Sequence, residues 1–139
     1  MATERTLVLV KPDGVRRHLI GEVISRLEAK GLEIVAMQML QMDKEMASKH
    51  YEEHLEKPFF NDLVTFITGG PLVAMAVEGD EAVSVVRTLM GATDPKKADR
   101  GTIRAEFGES IEQNAIHGSD SDENAKVEIS FFFAESELT

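Results

Sequence analysis

The sequence contains no cysteine and no tryptophan, and only one tyrosine and four prolines among its 139 residues. Without cysteine there are no disulfides, thiol nucleophiles or zinc–thiolate sites, and such a chain suits a reducing compartment. No apolar run is long enough to span a bilayer, and the first residues lack the pattern of a secretory signal. We therefore expect a cytoplasmic protein without a membrane anchor.

Positive charge is also scarce, because the chain has 15 Lys and Arg against 25 Asp and Glu, which gives a formal net charge of −10. Such a charge repels nucleic acid and anionic lipid on average, so neither partner is expected. A phosphate site would need basic side chains gathered locally. Acidic surfaces also occur in proteins adapted to high salt, and composition alone leaves this alternative open beside ordinary solubility.

The residues that are present predict a folded core within a single domain, residues 1–139. Apolar runs predict strands at 6–10, 34–42, 72–77 and 127–133. Apolar spacing and capping signals predict helices from residue 20 to Gly31, from Asp43 to about residue 54, over 59–68, from Asp80 to residue 90, and from Ser119 or Asp120 onward. The long irregular stretch 92–116 is typical of a functional loop.

Strands and helices in this order do not alternate strictly, which argues against a doubly wound parallel sheet. The order favours an α+β, ferredoxin-like βαββαβ fold, with a four-stranded antiparallel sheet covered by helices.

The common nucleotide-binding and hydrolase motifs are missing, since the chain has no Walker-type phosphate loop, no Gly-x-Gly-x-x-Gly and no Gly-x-Ser-x-Gly. One metal pattern matches by its letters. "HYEEH", residues 50–54, is His-x-x-Glu-His, and two histidines four apart on a helix share a face. A zinc hydrolase using His50, Glu53 and His54 is therefore one alternative, although nothing marks a third protein ligand.

A lone histidine, His117, precedes the predicted start of the last helix, in "NAIHGSDS". The free N–H groups and the dipole of a helix start favour an anion, so an imidazole there suggests phosphate transfer through histidine. An ordinary buried histidine is the alternative. Three cations, Lys11, Arg87 and Arg104, lie in strand-end, helix and loop settings and are candidates for phosphate contacts. Sequence spacing does not show whether they converge.

Several ordered stretches, taken together, resemble the nucleoside diphosphate kinase family over essentially the whole chain. They are "TLVLVKPDGV", "YEEHLEKPFF", "VVRTLMGATDP", "GTIRAEFG" and "NAIHGSDS", the last being the active-site signature of that family. The resemblance implies transfer of the terminal phosphate of a nucleoside triphosphate, mainly ATP, to a nucleoside diphosphate. It also implies a ping-pong mechanism through a phosphohistidine.

The resemblance assigns roles to residues by position in these motifs. His117 is implied as the nucleophile, Glu128 as the acceptor that fixes its tautomer, and Ser119 as their support. Lys11 and Tyr51 match residues near the terminal phosphate and the sugar 3′-hydroxyl. The remaining nucleotide-binding matches are Arg87, Thr93 and Arg104 for the inner phosphates, Asn114 for the sugar, and Phe59 and Ile111 for the base.

The resemblance further implies Mg²⁺ carried by the nucleotide, with no direct protein ligand and with Asp120 reaching it through water. It also implies a homo-oligomer, since dimers form in nearly all members. Arg100 stands where many members have a proline, and the C-terminus is short, ending "FFFAESELT". Because both features touch assembly contacts of hexameric members, we expect a tetramer first, with a dimer or hexamer as alternatives.

A third possibility is a non-catalytic ferredoxin-like binding module. The acidic charge and the lack of an aromatic RNA-binding strand weigh against a nucleic-acid binder. Retention of acid-labile phosphate after incubation with ATP distinguishes the kinase from such a module, and metal analysis distinguishes it from the zinc hydrolase.

Overall fold

The computed structural model describes residues 3–111 and 113–139, with the side chain of Glu53 left aside. Within that part of the chain, one sheet contains β1 Thr3–Val10, β2 Glu33–Leu40, β3 Leu72–Asp80 and β4 Ile116–Gly118. The strand order is β2-β3-β1-β4, and each neighbouring pair is antiparallel. The predicted α+β fold with a four-stranded antiparallel sheet is confirmed.

Seven α-helices connect and cover these strands in the described residues: α1 Pro12–Arg16, α2 Ile20–Ala29, α3 Lys44–His50, α4 Phe60–Ile67, α5 Ala82–Met90, α6 Ile103–Phe107 and α7 Asp122–Phe132. Side-chain caps begin three of them. Asp43 accepts from the N–H of Met46 at 2.8 Å, and Thr102 and Ser121 cap α6 and α7 in the same way. No helix in the described ranges has the length and apolarity needed to cross a bilayer.

The central strand β1 explains the uninterrupted apolar run "TLVLV", because it is buried on both faces. Leu7 and Leu9 point into a core formed with α3, α4 and α7. Val8 and Val10 point to the opposite face, into a core formed with α2 and α5. The two cores fix helices on both sides of β1, so the residues at its end are held from both faces.

The strand predicted at 127–133 is wrong, because that segment belongs to α7. The buried residues Ala125, Ile129 and Phe132 recur at helical spacing and face the sheet, while Val127 and Phe131 remain exposed. The free edge of β1 is instead paired with Ile116–Gly118. The apolar run is therefore helical in the structure, and the place beside β1 is occupied by a short strand earlier in the chain.

Two predicted helix ends also differ from the structure. The helix capped by Asp43 ends at His50, and a turn at Tyr51 leads into a 3₁₀ turn, Glu52–His54. Asp80 does not begin α5, because β3 continues to Asp80 and Glu81 takes the capping position with a left-handed φ of 52°. The N–H of Val83 is bound instead by Glu4 from β1, at 3.1 Å. A cap supplied from another strand leaves no local signal.

Candidate active site

His117 lies on β4 opposite Leu9 of β1, and not at a helix start as expected, since α7 begins only at Asp122. Its Nε2 lies 2.8 Å from Oε1 of Glu128, a residue of α7. The ten residues between them form a turn and the first part of α7, which returns across β1. The pairing of His117 with Glu128 therefore results from the strand–turn–helix path.

Ser119 completes this group at the buried end of the carboxylate. Its side chain is fully buried, and its Oγ donates to Oε1 of Glu128 at 3.2 Å. The same Oγ accepts from the N–H of Leu7 at 3.3 Å, which ties it to β1. Because an ionised carboxylate accepts and does not donate, Nε2 of His117 carries the hydrogen in this arrangement, and Nδ1 of the neutral ring keeps its lone pair.

A second histidine, His50, stands edge-on to His117, with ring centroids 4.9 Å apart and an interplanar angle of 78°. Burial, the largest cause, and the nearby His117, Lys11 and His54 together lower the pKa of His50 to about 3. Its Nδ1 is buried and has no hydrogen-bond partner among the described residues. Burial raises the pKa of the neighbouring Tyr51 to about 12, so the tyrosine keeps its hydroxyl hydrogen.

Lys11 and Asn114 form a buried pair at the end of β1. Nζ of Lys11 donates to Oδ1 of Asn114 at 2.9 Å and lies 5.2 Å above the ring of Phe66. Nδ2 of Asn114 donates to the carbonyls of Thr93 and Ile111, at 3.1 and 2.9 Å. One amide thus links Lys11 to two further residues that the sequence assigned to nucleotide binding.

Arg104 and Arg87 approach the strand of His117 from two helices. Arg104 donates to the carbonyl of Ile116 at 2.7 Å and to that of Gly91 at 3.2 Å. Arg87 reaches the carbonyl of Gly118 at the limiting distance of 3.5 Å. The two guanidinium groups therefore contact the peptide carbonyls on either side of His117, a convergence that sequence spacing could not show.

The charge of Arg104 is only partly compensated by its surroundings. Burial, the largest cause, and the positive charge of Arg87 lower the pKa of Arg104 to about 10, while Asp13 acts in the opposite direction. Nε of Arg104 is buried and has no hydrogen-bond partner among the described atoms. A site with two cations and an unsatisfied N–H attracts anionic oxygens.

Sequence reasoning missed the role of Asp13. This carboxylate is fully buried, and its Oδ2 accepts from the N–H of Ala115 at 2.9 Å. The N–H of Lys11 donates to the carbonyl of the same Ala115, whose φ of 73° is left-handed. A Cβ on Gly14 would lie 2.7 Å from that carbonyl. The "KPDG" segment, interpreted only as a strand stop, therefore holds the strained residue before β4 in place.

The residues expected to contact a base are partly exposed to solvent. Phe59 and Ile111 are 44% and 56% exposed. The ring of Phe59 lies 5.6 Å from that of His54, and Nζ of Lys57 lies 5.7 Å from its centroid. Asp120 is exposed and shares with Arg87 a cleft of about 510 Å³. Its Oδ1 accepts from Nδ2 of Asn124 at 2.5 Å.

The zinc pattern "HYEEH" loses its geometric basis in this structure. Because α3 ends at His50 and His54 lies in the 3₁₀ turn, the two histidines do not share one α-helix face. The side chain of Glu53 lies outside the described part of the chain. His50 instead groups with His117 and Glu128, with one ligand atom of each within 4.8 Å of the others.

Comparison with known proteins decides between the remaining alternatives. A family model described as "Nucleoside diphosphate kinase" matches residues 4–138. The chain belongs to the nucleoside diphosphate kinase family. Enzymes of this family transfer phosphate between nucleoside triphosphates and diphosphates, so the chain is a phosphotransferase. The family match excludes the zinc hydrolase and the non-catalytic module as the main function.

Relatives named nucleoside diphosphate kinase match over nearly the full length of the chain. The protein of Metallosphaera sedula is 59% identical over 139 residues, which is 100% of this chain and 99% of the relative. That of Dehalococcoides mccartyi is 60% identical over 135 residues, or 97% of this chain and 95% of the relative.

Solved structures of nucleoside diphosphate kinases share the fold. The Halobacterium salinarum enzyme, described as halophilic and in complex with CDP, has a TM-score of 0.96 and 50% identity, covering 99% of this chain and 92% of the other. The Aquifex aeolicus enzyme has a TM-score of 0.96 and 41% identity, covering 99% and 100%.

Proposed function

We propose that this kinase moves the terminal phosphate of a nucleoside triphosphate, mainly ATP, to nucleoside diphosphates by a ping-pong mechanism through a phosphohistidine at His117. The observation that carries the proposal is the 2.8 Å contact between Nε2 of His117 and Glu128. This contact holds a hydrogen on Nε2 and leaves Nδ1 as the nucleophile.

In the first half-reaction, the lone pair on Nδ1 of His117 attacks the terminal phosphorus. The bond between that phosphorus and the bridging oxygen breaks, and its electron pair leaves with the nucleoside diphosphate. The phosphoryl group stays on the imidazole, whose positive charge is stabilised by Glu128. In the second half-reaction, a terminal oxygen of another diphosphate attacks the phosphorus. The bond between phosphorus and Nδ1 breaks, and its electron pair returns to Nδ1, which regenerates the neutral ring.

The proposed binding roles follow from where the polar groups lie. Arg104 and Arg87 border His117 and would bind the phosphates, because guanidinium groups match phosphate oxygens in shape and charge. Lys11 and the protonated hydroxyl of Tyr51 would serve the transferred phosphate and the sugar 3′-hydroxyl. Asn114, bound to Lys11 and Thr93, would contact the sugar. Positioning and charge neutralisation then supply most of the catalysis.

Base binding is proposed for Phe59 and Ile111. An exposed aromatic ring stacks on any base, because every base has a π-face. The Halobacterium salinarum relative was solved with CDP, which supports the inference that this chain accepts pyrimidine as well as purine nucleotides.

Mg²⁺ is proposed to arrive with the nucleotide. In the described part of the chain, the one group of three His, Asp or Glu ligand atoms within 4.8 Å contains two histidines, so it is no all-oxygen cage. Mg²⁺ prefers oxygen ligands and keeps several waters, which suits an ion held by phosphates with Asp120 reaching it through water. When bound, the ion neutralises phosphate charge.

We further propose that residues 1–139 act as a single cytoplasmic domain that assembles with copies of itself, a tetramer being the first expectation. The edge strand β2 supports assembly, because Met37 and Met39 on it are exposed. Arg100 is exposed as well. Thr139 is held against β2, since its N–H donates to the carbonyl of Val35 at 3.0 Å.

The test is incubation of the purified protein with Mg²⁺ and ATP labelled at the terminal phosphate. We expect acid-labile, base-stable label on the protein that is discharged by a nucleoside diphosphate, and no label on His117→Ala. The matched control is His18→Asn, which removes an exposed histidine at a left-handed residue that asparagine tolerates. Phosphate transfer without protein label, or normal labelling of His117→Ala, would contradict the proposal.

A further inference from the structure

We propose that His50, His117 and Glu128 together form a binding site for Zn²⁺ or a similar soft divalent cation, and that occupancy of this site blocks phosphate transfer. The metal binding stands on geometry alone. The block rests on the proposed function of His117, because it requires that ring to be the nucleophile.

The distances suit a compact metal site. One ligand atom from each of the three residues lies within 4.8 Å of the other two, and the His117–Glu128 pair is already at 2.8 Å. Zinc bonds to imidazole and carboxylate are about 2.0–2.2 Å long, so ligand atoms on one tetrahedral ion lie roughly 3.4 Å apart. The group therefore needs only small side-chain movements to reach around one ion.

The donor set also suits zinc. Two imidazoles and one carboxylate are the protein ligands of many zinc sites that leave a fourth position for water. The ring of His50 stands at 78° to that of His117, and one nitrogen of each ring lies within 4.8 Å of the other. Nδ1 of His50 is buried without a hydrogen-bond partner in the described ranges, so a metal there displaces no protein hydrogen bond.

The surroundings set the type and strength of binding. All three side chains are only partly buried, so an ion can enter from solvent. The net charge of −10 draws cations to the protein, while Lys11, close enough to lower the pKa of His50, opposes them locally. Mg²⁺ prefers oxygen ligands and retains its waters, so it does not compete well for two nitrogens.

Coordination of the metal by either ring nitrogen of His117 would block phosphate transfer. A metal on Nδ1 occupies the nucleophilic lone pair directly. A metal on Nε2 displaces the hydrogen shared with Glu128, and in the neutral ring that hydrogen moves to Nδ1 and removes its lone pair. Bound Zn²⁺ should therefore prevent phosphohistidine formation, and an existing phosphohistidine should prevent full coordination of Zn²⁺.

The first experiment measures metal binding to the full chain without nucleotide, by Zn²⁺ calorimetry and by the visible absorption of Co²⁺. We expect one ion per chain. Replacing a residue that only hydrogen-bonds to a metal ligand commonly lowers metal affinity about 10- to 100-fold. His50 and Glu128 are proposed as ligands themselves, so His50→Phe or Glu128→Gln should lower Zn²⁺ affinity by at least about that factor. The matched control is His54→Phe, in the adjacent turn, which should bind as the wild type does. Circular dichroism checks folding, and His50→Asn serves if His50→Phe does not fold.

The second experiment measures labelling by ATP at fixed Mg²⁺ with increasing Zn²⁺. We expect inhibition at the concentrations that saturate calorimetry, reversal by a chelator, and resistance in His50→Asn. Three outcomes would overturn the site: no Zn²⁺ bound by the wild type, no effect of the His50 variants on binding, or equal weakening by His54→Phe. Zn²⁺ binding without inhibition would overturn the block, and if no phosphoprotein forms in any condition, the proposed function fails while the metal site is still measured.

Discussion

The residues proposed to bind phosphate (the phosphate end) and those proposed to bind the base (the base end) differ in how firmly the protein holds their side chains. At the phosphate end, Lys11, Arg104 and Asn114 are 7%, 6% and 2% exposed, and each makes hydrogen bonds to distant parts of the chain. At the base end, Phe59 and Ile111 are about half exposed. The proposed phosphate contacts are thus buried and hydrogen-bonded to the protein, whereas the proposed base contacts are exposed to solvent.

This difference matches what each end must do. Fixed cations stabilise charge on a transferring phosphate without reorganising, and that saves free energy in the transition state. An open aromatic surface discriminates little between bases, since it offers no fixed hydrogen-bond partner. If the proposed assignments hold, we expect strict recognition of the phosphate chain and loose recognition of the base, and the following predictions test that contrast.

The largest effect is expected at the phosphate end, from Arg104→Gln. Hydrogen bonds to charged groups contribute roughly 1.5–3 kcal/mol, so affinity for ADP should fall about 10- to 100-fold in calorimetry. The carbonyls of Gly91 and Ile116 also lose their charged donor. Arg104→Lys keeps the positive charge but lacks the planar guanidinium group, so its affinity for ADP should lie between those of the wild type and Arg104→Gln. Unchanged affinity in Arg104→Gln would show that this end is not the phosphate site.

Acid should destabilise the folded chain through His50, which stands beside His117. Its pKa is lowered to about 3 in the folded chain, against 6.5 for an ordinary imidazole. Below pH 6.5 the unfolded chain therefore binds more protons at His50, and stability is lost as pH falls toward 3. Each pH unit costs about 1.4 kcal/mol, so the free energy of unfolding should drop by about 2 kcal/mol from pH 6.5 to 5.

Urea unfolding at pH 7, 6 and 5 measures this loss. In His50→Phe, the dependence of stability on pH should be flatter than in the wild type by the same amount. His18→Asn, which removes an exposed histidine, is the matched control and should keep the wild-type slope. Parallel pH profiles for the wild type and His50→Phe would mean that the imidazole of His50 accepts a proton freely in the folded chain.

A smaller effect is expected at the base end, from Phe59→Ala. Base–aromatic stacking contributes about 1–3 kcal/mol, and the exposure of this ring places it at the lower limit, so affinity for ADP should fall about fivefold. The loss should be smaller for CDP, whose base stacks over less area, and Phe59→Tyr should restore binding. A loss as large as that of Arg104→Gln would remove the contrast between the two ends.

The smallest effect concerns the outer surface, where the net charge of −10 is screened by salt. The Debye length falls from about 10 Å at 0.1 M to about 3 Å at 1 M, so NaCl should raise Tm. A gain of about 1 kcal/mol corresponds to roughly 4 °C for a chain of this size. Replacing exposed Glu33 and Glu56 by glutamine changes −10 to −8 and should reduce the gain. A flat profile in light scattering and thermal unfolding would remove the high-salt interpretation.

Much of the fold could be read from local patterns. The buried strands β1 and β3, the amphipathic helices α2 and α4, and the cap at Asp43 were all predicted, because apolar spacing and capping act within a few residues. The last element was not. Residues 127–133 have the composition of a strand, yet α7 extends to Phe132, with its buried residues at helical spacing, while β4 pairs with β1.

The candidate site also contains residues that the sequence pointed to and residues that it did not. The sequence alone pointed to His117 as a chemical residue, and its motifs matched a family whose pattern includes Glu128, Lys11, Arg104 and the other binding residues. It gave no sign that Asp13 holds Ala115, or that His50 stands 4.9 Å from His117.

The sequence by itself determined which residues are available and which segments become regular structure, because propensity, capping and apolar periodicity are local. Only the tertiary structure decided that two arginines border one imidazole, and that a carboxylate eleven residues away binds Nε2 of that ring. Those contacts depend on sheet order, strand register and the packing of α7 on β1. Each of these is set by burial of apolar surface from distant segments, which no short stretch of sequence contains.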